Sequence, residues 1–229
     1  MTEYTFVQHL AKLLKEEGFL VKKEIGVGYG IADLVIIKKS KFDLKRCTLR
    51  SNYKQFSPLL KTNYFKLLKH IPDLDSGDEP IDIDLLVEKT HISRSLLKYD
   101  LLKSLEEKKY IKKEGGKYYF KVNGWAPLAK EIIAIEAKLK DWKRGFIQAN
   151  RYRTFADKVY LALPEENIRL VDKELLKKHH VGLISFNVKT AQKRVIIKSS
   201  KEEPLNEFKR NFASEYFWNR NILKELATT

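Results

Sequence analysis

Two short apolar runs carry ionisable side chains where a plain buried strand would have none. Asp33 lies within Gly30-Ile31-Ala32-Asp33-Leu34-Val35-Ile36-Ile37, and Glu136 and Lys138 lie within Ile132-Ile133-Ala134-Ile135-Glu136-Ala137-Lys138. Their length and branched side chains predict strands. Side chains alternate across a strand, so Glu136 and Lys138 point to one side while Ile133, Ile135 and Ala137 point to the other. A carboxylate beside an ammonium on a buried strand is costly unless something else neutralises and uses the pair. A metal site does both. If Asp33 arrives from a neighbouring strand, two carboxylates converge on a hard divalent cation, leaving Lys138 to orient a water or a phosphate oxygen.

Around these runs the periodicity predicts a layered domain. Glu3 to Glu17 places Phe6, Val7, Leu10, Leu13 and Leu14 at helical spacing, and Gly18 ends the pattern. Phe19 to Val27 and Ile31 to Lys39 are strand-like, joined by Gly28-Tyr29-Gly30. These glycines suit a hairpin turn better than a nucleotide loop, because no helix N-terminus follows to receive a phosphate. After Lys138, a helix over 141–156 puts Arg144, Gln148 and Tyr152 at i, i+4 and i+8, with Trp142, Phe146 and Ala149 on the adjoining apolar side. A strand over 157–163, a helix over 165–179, strands over 181–188 and 194–198, and an aromatic-rich helix over 205–226 complete the pattern.

This arrangement resembles the PD-(D/E)XK nuclease superfamily, the restriction-endonuclease-like fold that includes archaeal Holliday junction resolvases: an acid on one strand, Glu-x-Lys on the next, then a helix with Gln and Tyr four residues apart. The resemblance covers roughly residues 1 to 40 and 130 to 198. Ala32 stands where the family name has proline. In compact members the two strands are close in sequence, so the distance between Asp33 and Glu136 implies an insertion. The resemblance implies an α/β fold with a mixed sheet flanked by helices, and metal-dependent hydrolysis of phosphodiester bonds. Asp33, Glu136 and the carbonyl of Ala137 would hold Mg2+, with Mn2+ as a possible substitute. Lys138 would stabilise transition-state charge, Gln148 would pack against the active site, and Arg144 and Tyr152 would lie along the DNA cleft. A further acid is usual in the family, and the resemblance implies Glu3 on the first helix or Glu24 on the first strand as the candidate.

The stretch between the two halves reads differently. A helix over 58–70, an acidic loop at 73–80, a short helix over 82–90 and a helix capped by Ser93 precede Tyr110-Ile111-Lys112-Lys113-Glu114-Gly115-Gly116-Lys117-Tyr118-Tyr119-Phe120-Lys121-Val122, two strands around a Gly-Gly turn. Three helices and a basic hairpin resemble a winged helix. Arg94 and Lys98 would then face the major groove, and Lys112, Lys113 and Lys117 would meet phosphates. Protein contact is the other use such a module has, and Asp100, Glu106 and Glu107 beside the basic residues keep it open. The expected organisation is therefore nuclease core over 1–45, insert over 46–125, and core again over 126–229.

Composition agrees with a polyanionic partner. Among 229 residues, 45 Lys and Arg against 30 Asp and Glu give a net charge of +15, which favours nucleic acid before membrane, although a generally lysine-rich composition would produce the same excess. A single cysteine, Cys47, excludes an internal disulfide and any multi-cysteine zinc site. None of the five histidines has a metal-ligand partner set. No apolar run approaches the ~20 residues that span a bilayer, and no signal-like N-terminus is present, so a soluble cytoplasmic protein is expected. The competing functions are a DNA endonuclease, a DNA-binding regulator with an inactive nuclease-like core, and a protein-contact scaffold. Cutting both strands of a duplex with one site per chain would favour a homodimer.

Overall fold

The computed structural model describes residues 1–28 and 30–227, so the centre of the expected glycine turn, Tyr29, lies outside the described residues. The chain opens with α1 (Glu3–Glu16), whose Thr2 side chain caps the helix by accepting from Thr5 N at 3.1 Å. Its apolar stripe is the one the sequence predicts: Phe6, Leu10 and Leu14 are buried. Gly18 ends the helix with φ +83°, a left-handed turn that costs glycine least. The antiparallel pair β1 (Phe19–Gly26) and β2 (Ile31–Lys38) follows.

The chain then builds α2 (Leu44–Asn52), α3 (Thr62–His70) and α4 (Ile83–Thr90). Next, α5 (Arg94–Leu96) runs through a π-helical turn at Leu97–Leu101 into α6 (Leu102–Glu107). The hairpin of β3 (Ile111–Glu114) and β4 (Tyr118–Lys121) comes after it, turning at Gly115 and Gly116, which both have positive φ. Ile81 bridges to Tyr119 on the free side of β4. Leu67, Leu86, Leu97, Leu101 and Leu105 are buried among these helices.

The remaining elements are β5 (Ile133–Ala137), α7 (Trp142–Arg151), β6 (Lys158–Pro164), α8 (Lys173–Lys178), β7 (Gly182–Asn187), β8 (Gln192–Ile197), α9 (Glu207–Glu215) and α10 (Ile222–Ala227). Among the described residues, the strands outside the hairpin form one six-stranded sheet in the order β1-β2-β5-β6-β7-β8. β5, β6 and β7 run parallel and the other pairs antiparallel, so this is a mixed α/β sheet flanked by helices. α1 packs Phe6, Leu10 and Leu14 onto Leu34, Ile36 and Ile135, and Phe6 meets Phe186 edge-on with ring centroids 5.4 Å apart. Among the described residues no helix is long and apolar enough to cross a membrane.

Two compact units result. One contains Met1–Phe42 and Ala129–Ala213, and the other contains Asp43–Leu128 together with the stretch that begins at Ser214. Set beside the insert expected over 46–125, the second unit runs over 43–128 and also takes in the end of the chain, which was expected with the sheet. Glu215 explains this: it pairs with Arg50 of α2 at 2.6 Å, while Trp218 Nε1 donates to the Gln55 carbonyl at 2.7 Å.

Four expected helices are shorter or broken. The one expected over 141–156 is α7, which ends at Arg151 and passes into a 3-10 turn, Tyr152–Thr154. The one expected from Pro58 starts at Thr62, because the preceding stretch is held by tertiary bonds: Leu59 N donates to Glu215 and the Tyr110 hydroxyl to the Ser57 carbonyl. The one expected over 165–179 is a 3-10 segment, Glu165–Leu170, and then α8, restarted by the Asp172 cap on Leu175 N. The one expected over 205–226 is divided into α9 and α10.

Candidate functional site

The last ladder pair between β2 and β5 is Leu34 opposite Ile135, and the next step in register sets Asp33 opposite Glu136. Directly opposed residues of an antiparallel pair share a face, so the two carboxylates converge from neighbouring strands. Asp33 also takes over from the backbone here: its Oδ2 accepts from Ala137 N at 2.8 Å. Glu136 is 1% exposed. Its Oε1 pairs with Lys138 Nζ at 2.7 Å, and its Oε2 lies 2.5 Å from the Tyr152 hydroxyl.

The electrostatics follow from burial. Burial pushes the Asp33 carboxyl up, against the Ala137 amide and the Lys138 charge, with Glu3 and Glu24 adding repulsion. Burial likewise pushes Glu136 up, and Asp33 repels it, although Lys138 and Tyr152 hold it back by hydrogen bonding. For Lys138, burial alone would lower the pKa, but the bond to Glu136 and the charges of Glu136, Asp33 and Glu3 outweigh it and the group is raised. Burial also pushes the Tyr152 hydroxyl up, so it remains a neutral O–H.

Both acids proposed to supplement the pair lie at the mouth of the site. Glu3 is exposed on α1, with Oε2 3.5 Å from Lys138 Nζ. Glu24 faces Asp33 across β1: Lys23 pairs with Leu34 and Ile25 with Ala32, but the step between them is missing from the ladder. Glu24 itself has φ +55°, which is strained for any residue but glycine. Glu3, Glu24 and Asp33 line one open cleft of about 290 Å3, with Tyr4, Gln8 and Lys23.

Helix α7 covers the other flank, and its Arg144 and Gln148 part company with Tyr152, which caps its end and opens a 3-10 turn. Arg144 is exposed, Gln148 is half-buried with its amide oxygen enclosed and unpartnered by protein, and Tyr152 is 2% exposed. An α-helix advances roughly 40° beyond a full circle every four residues, so over eight residues the chain carries Arg144 to solvent and Tyr152 inward. Tyr152, expected along a DNA cleft, is thus placed with its ring packed inside. Gly145 on the same helix was not singled out in the sequence, although a glycine inside a helical pattern is the signal that marks it.

In the other unit, the residues proposed to read DNA are exposed but partnered. Arg94 pairs with Asp84, Lys98 Nζ lies 5.1 Å from the Tyr99 ring centroid, and Lys112 Nζ is 4.0 Å from Glu114. Lys113 and Lys117 stand over Tyr119 and Tyr118, at 5.9 and 4.7 Å.

The residues that could hold a metal are Asp33, Glu136 and the Ala137 carbonyl. All offer hard oxygen donors, and each carboxylate oxygen keeps a lone pair beyond the bonds described. Around them the carboxylates of Glu3, Glu24, Asp33 and Glu136 outnumber the ammonium groups of Lys23 and Lys138, so the site's own charge favours a cation. Among the described residues no three His, Cys, Asp or Glu side chains form a group that could enclose a metal ion. Hard oxygen donors of this kind are the ones a small divalent ion such as Mg2+ takes, usually with one or two carboxylates and several waters. No family model matches the chain, and no curated protein and no solved structure matches it.

Proposed function

We propose that the protein is a metal-dependent DNA nuclease of PD-(D/E)XK type. The observation that carries this reading is the convergence of Asp33 and Glu136 from adjacent strands, both pushed up by burial, with the Lys138 ammonium 2.7 Å from Glu136. Burying two like charges beside a single ammonium is unfavourable for folding, and its chemical use is to bind a cation next to a polyanion. Asp33, Glu136 and the Ala137 carbonyl would hold the ion. When bound, Mg2+ or Mn2+ would supply the Lewis acidity that activates a water and offsets charge on the scissile phosphate. Lys138 keeps its proton and presents positive charge where the phosphoryl oxygens gain negative charge, which lowers the barrier only in the transition state. Gln148 packs against the site from α7, and Arg144, exposed on the same helix, meets DNA phosphate.

The second unit is a winged helix that contributes DNA binding. Its helix order, the hairpin and the Ile81 bridge beside β4 support the reading, as does the exposure of Lys112, Lys113 and Lys117 on the hairpin. Two chains would act together where both strands of a duplex are cut.

The test is to incubate pure protein with supercoiled, linear, single-stranded and branched DNA in Mg2+, Mn2+ or EDTA. Cleavage should require the metal, and Asp33→Ala and Glu136→Ala should each abolish it while DNA binding stays nearly intact. Full cleavage by both variants rejects this active site. Binding by the wild type without cleavage under any metal favours the regulator with an inactive core.

A further inference from the structure

Beyond Leu34 and Ile135, backbone hydrogen bonds no longer hold β2 to β5, although the chemistry of the site depends on how these strand ends are spaced. Side chains take over that task. Asp33 closes one side by accepting from Ala137 N. The Tyr152 hydroxyl closes the other, its single proton shared between two acceptors, the Ile31 carbonyl on β2 at 2.8 Å and Glu136 Oε2 on β5 at 2.5 Å. It therefore spans the two strands that bear the acids.

One face of α7 approaches β5 and β6 so closely that only glycine fits at its first contact. A Cβ on Gly145 would stand 2.8 Å from Lys138 Cγ and 2.6 Å from Leu161 Cδ1, both inside real contact distances. Glycine is among the poorest helix formers inside a helix, so its presence here needs a packing reason, and the Lys138 stem supplies one. Gly145 and Tyr152 are seven residues apart, about two turns, and Ala149 between them is completely buried.

We infer that α7 is the template of the site: Gly145 leaves the slot in which the Lys138 stem lies, and Tyr152 clasps Glu136 and the Ile31 end of β2. Both are positioning residues, acting through Lys138 and Glu136 and touching no substrate. As a statement about catalysis this rests on the nuclease reading. As a statement about geometry it does not.

The experiment uses the full chain labelled with 15N-lysine. A buried ammonium bonded to a carboxylate exchanges slowly, so Lys138 Nζ should give a resolved signal, identified by its loss in Lys138→Arg. Tyr152→Phe should shift that signal and lower kcat for DNA cleavage by about 10–100-fold, the usual effect of removing a group that orients a ligand, with KM for DNA unchanged. Gly145→Ala should displace or abolish the signal, and Ile147→Ala, exposed on the same helix, should leave both readouts as they are. A Tyr152→Phe protein with the wild-type Lys138 signal and wild-type kcat overturns the inference, and this holds even where Gly145→Ala fails to fold. If the wild type cleaves nothing with any metal, the nuclease reading falls, and the Lys138 signal in Tyr152→Phe alone then upholds or overturns the template.

Discussion

Each unit buries an ion pair, and the two pairs are built to opposite ends. In the helical unit, Arg50 donates to Glu215 from Nη2 at 2.6 Å and Nη1 at 3.1 Å, and Glu215 also accepts from Leu59 N and Trp125 Nε1. Tyr110, Trp125 and Trp218 surround the guanidinium at 5.5, 5.9 and 5.5 Å. Burial would lower the Arg50 pKa, but Glu215 outweighs it and the group is raised. One charge meets one charge, with hydrogen bonds to spare. In the sheet unit, Glu136 meets Lys138 with Asp33 beside them, and both carboxyls are pushed up. A satisfied pair has nothing left to bind, and its use is to fix a fold. On the proposed reading, the surplus negative charge of the other pair is what would take a counter-charge.

That contrast can be broken in several ways. The largest effect should come from the satisfied pair. Arg50→Ala leaves Glu215 buried and uncompensated and should destabilise the helical unit by about 3–5 kcal/mol. Denaturant titration followed by tryptophan fluorescence reads this, and a loss below about 1 kcal/mol would mean the pair is not what secures the end of the chain. Next in size is the response of the sheet unit to metal. Mn2+ at about 100 times its Kd should stabilise the wild type by about 2.7 kcal/mol and leave Asp33→Asn unmoved, as thermal melting would show.

A smaller effect concerns pH without metal. Because the folded-state pKa of Asp33 is raised, the fold binds more protons than the unfolded chain between the two values. Its contribution is fully present below the unfolded pKa and is lost as pH rises through the folded one. In EDTA, Asp33→Asn should therefore melt above the wild type at neutral pH, and the gap should close as pH falls through the raised pKa. A gap independent of pH would assign the effect to packing instead. The smallest effect is at the hairpin: each of Lys112, Lys113 and Lys117 that touches phosphate should take about 0.9 from the log-log salt slope of duplex binding. A triple variant with unchanged slope and affinity would make this module a protein-contact surface.

The parts legible in the sequence are those whose signal is local. The α1 stripe, the β1–β2 pair, the charged runs of β2 and β5 and the Gly115-Gly116 hairpin are written in residue spacing, and the structure has them where the spacing puts them. Of the helices that failed, those over 58–61 and 205–226 are interrupted by a distant partner: Glu215 for Leu59, and for the last helix the return of the chain to Arg50 and Gln55. The one over 165–179 is divided where Asp172 caps a new helix. The π turn at Leu97–Leu101 has no sequence signal that we recognise.

For the candidate site, the sequence by itself determined the chemistry available: an acid on one strand, Glu-x-Lys on another, and Gln and Tyr on the helix that follows. Residue type and alternation suffice for that, because both are properties of the chain. Only the tertiary structure decided how these groups meet. It set Asp33 opposite Glu136 and put Glu24 across from Asp33 on a strained backbone. It turned Tyr152 inward onto Glu136 and gave Gly145 the task of admitting the Lys138 stem. Strand register, the depth at which a helix settles on a sheet and the balance of buried charge all depend on partners far away in the chain, which a local pattern does not encode.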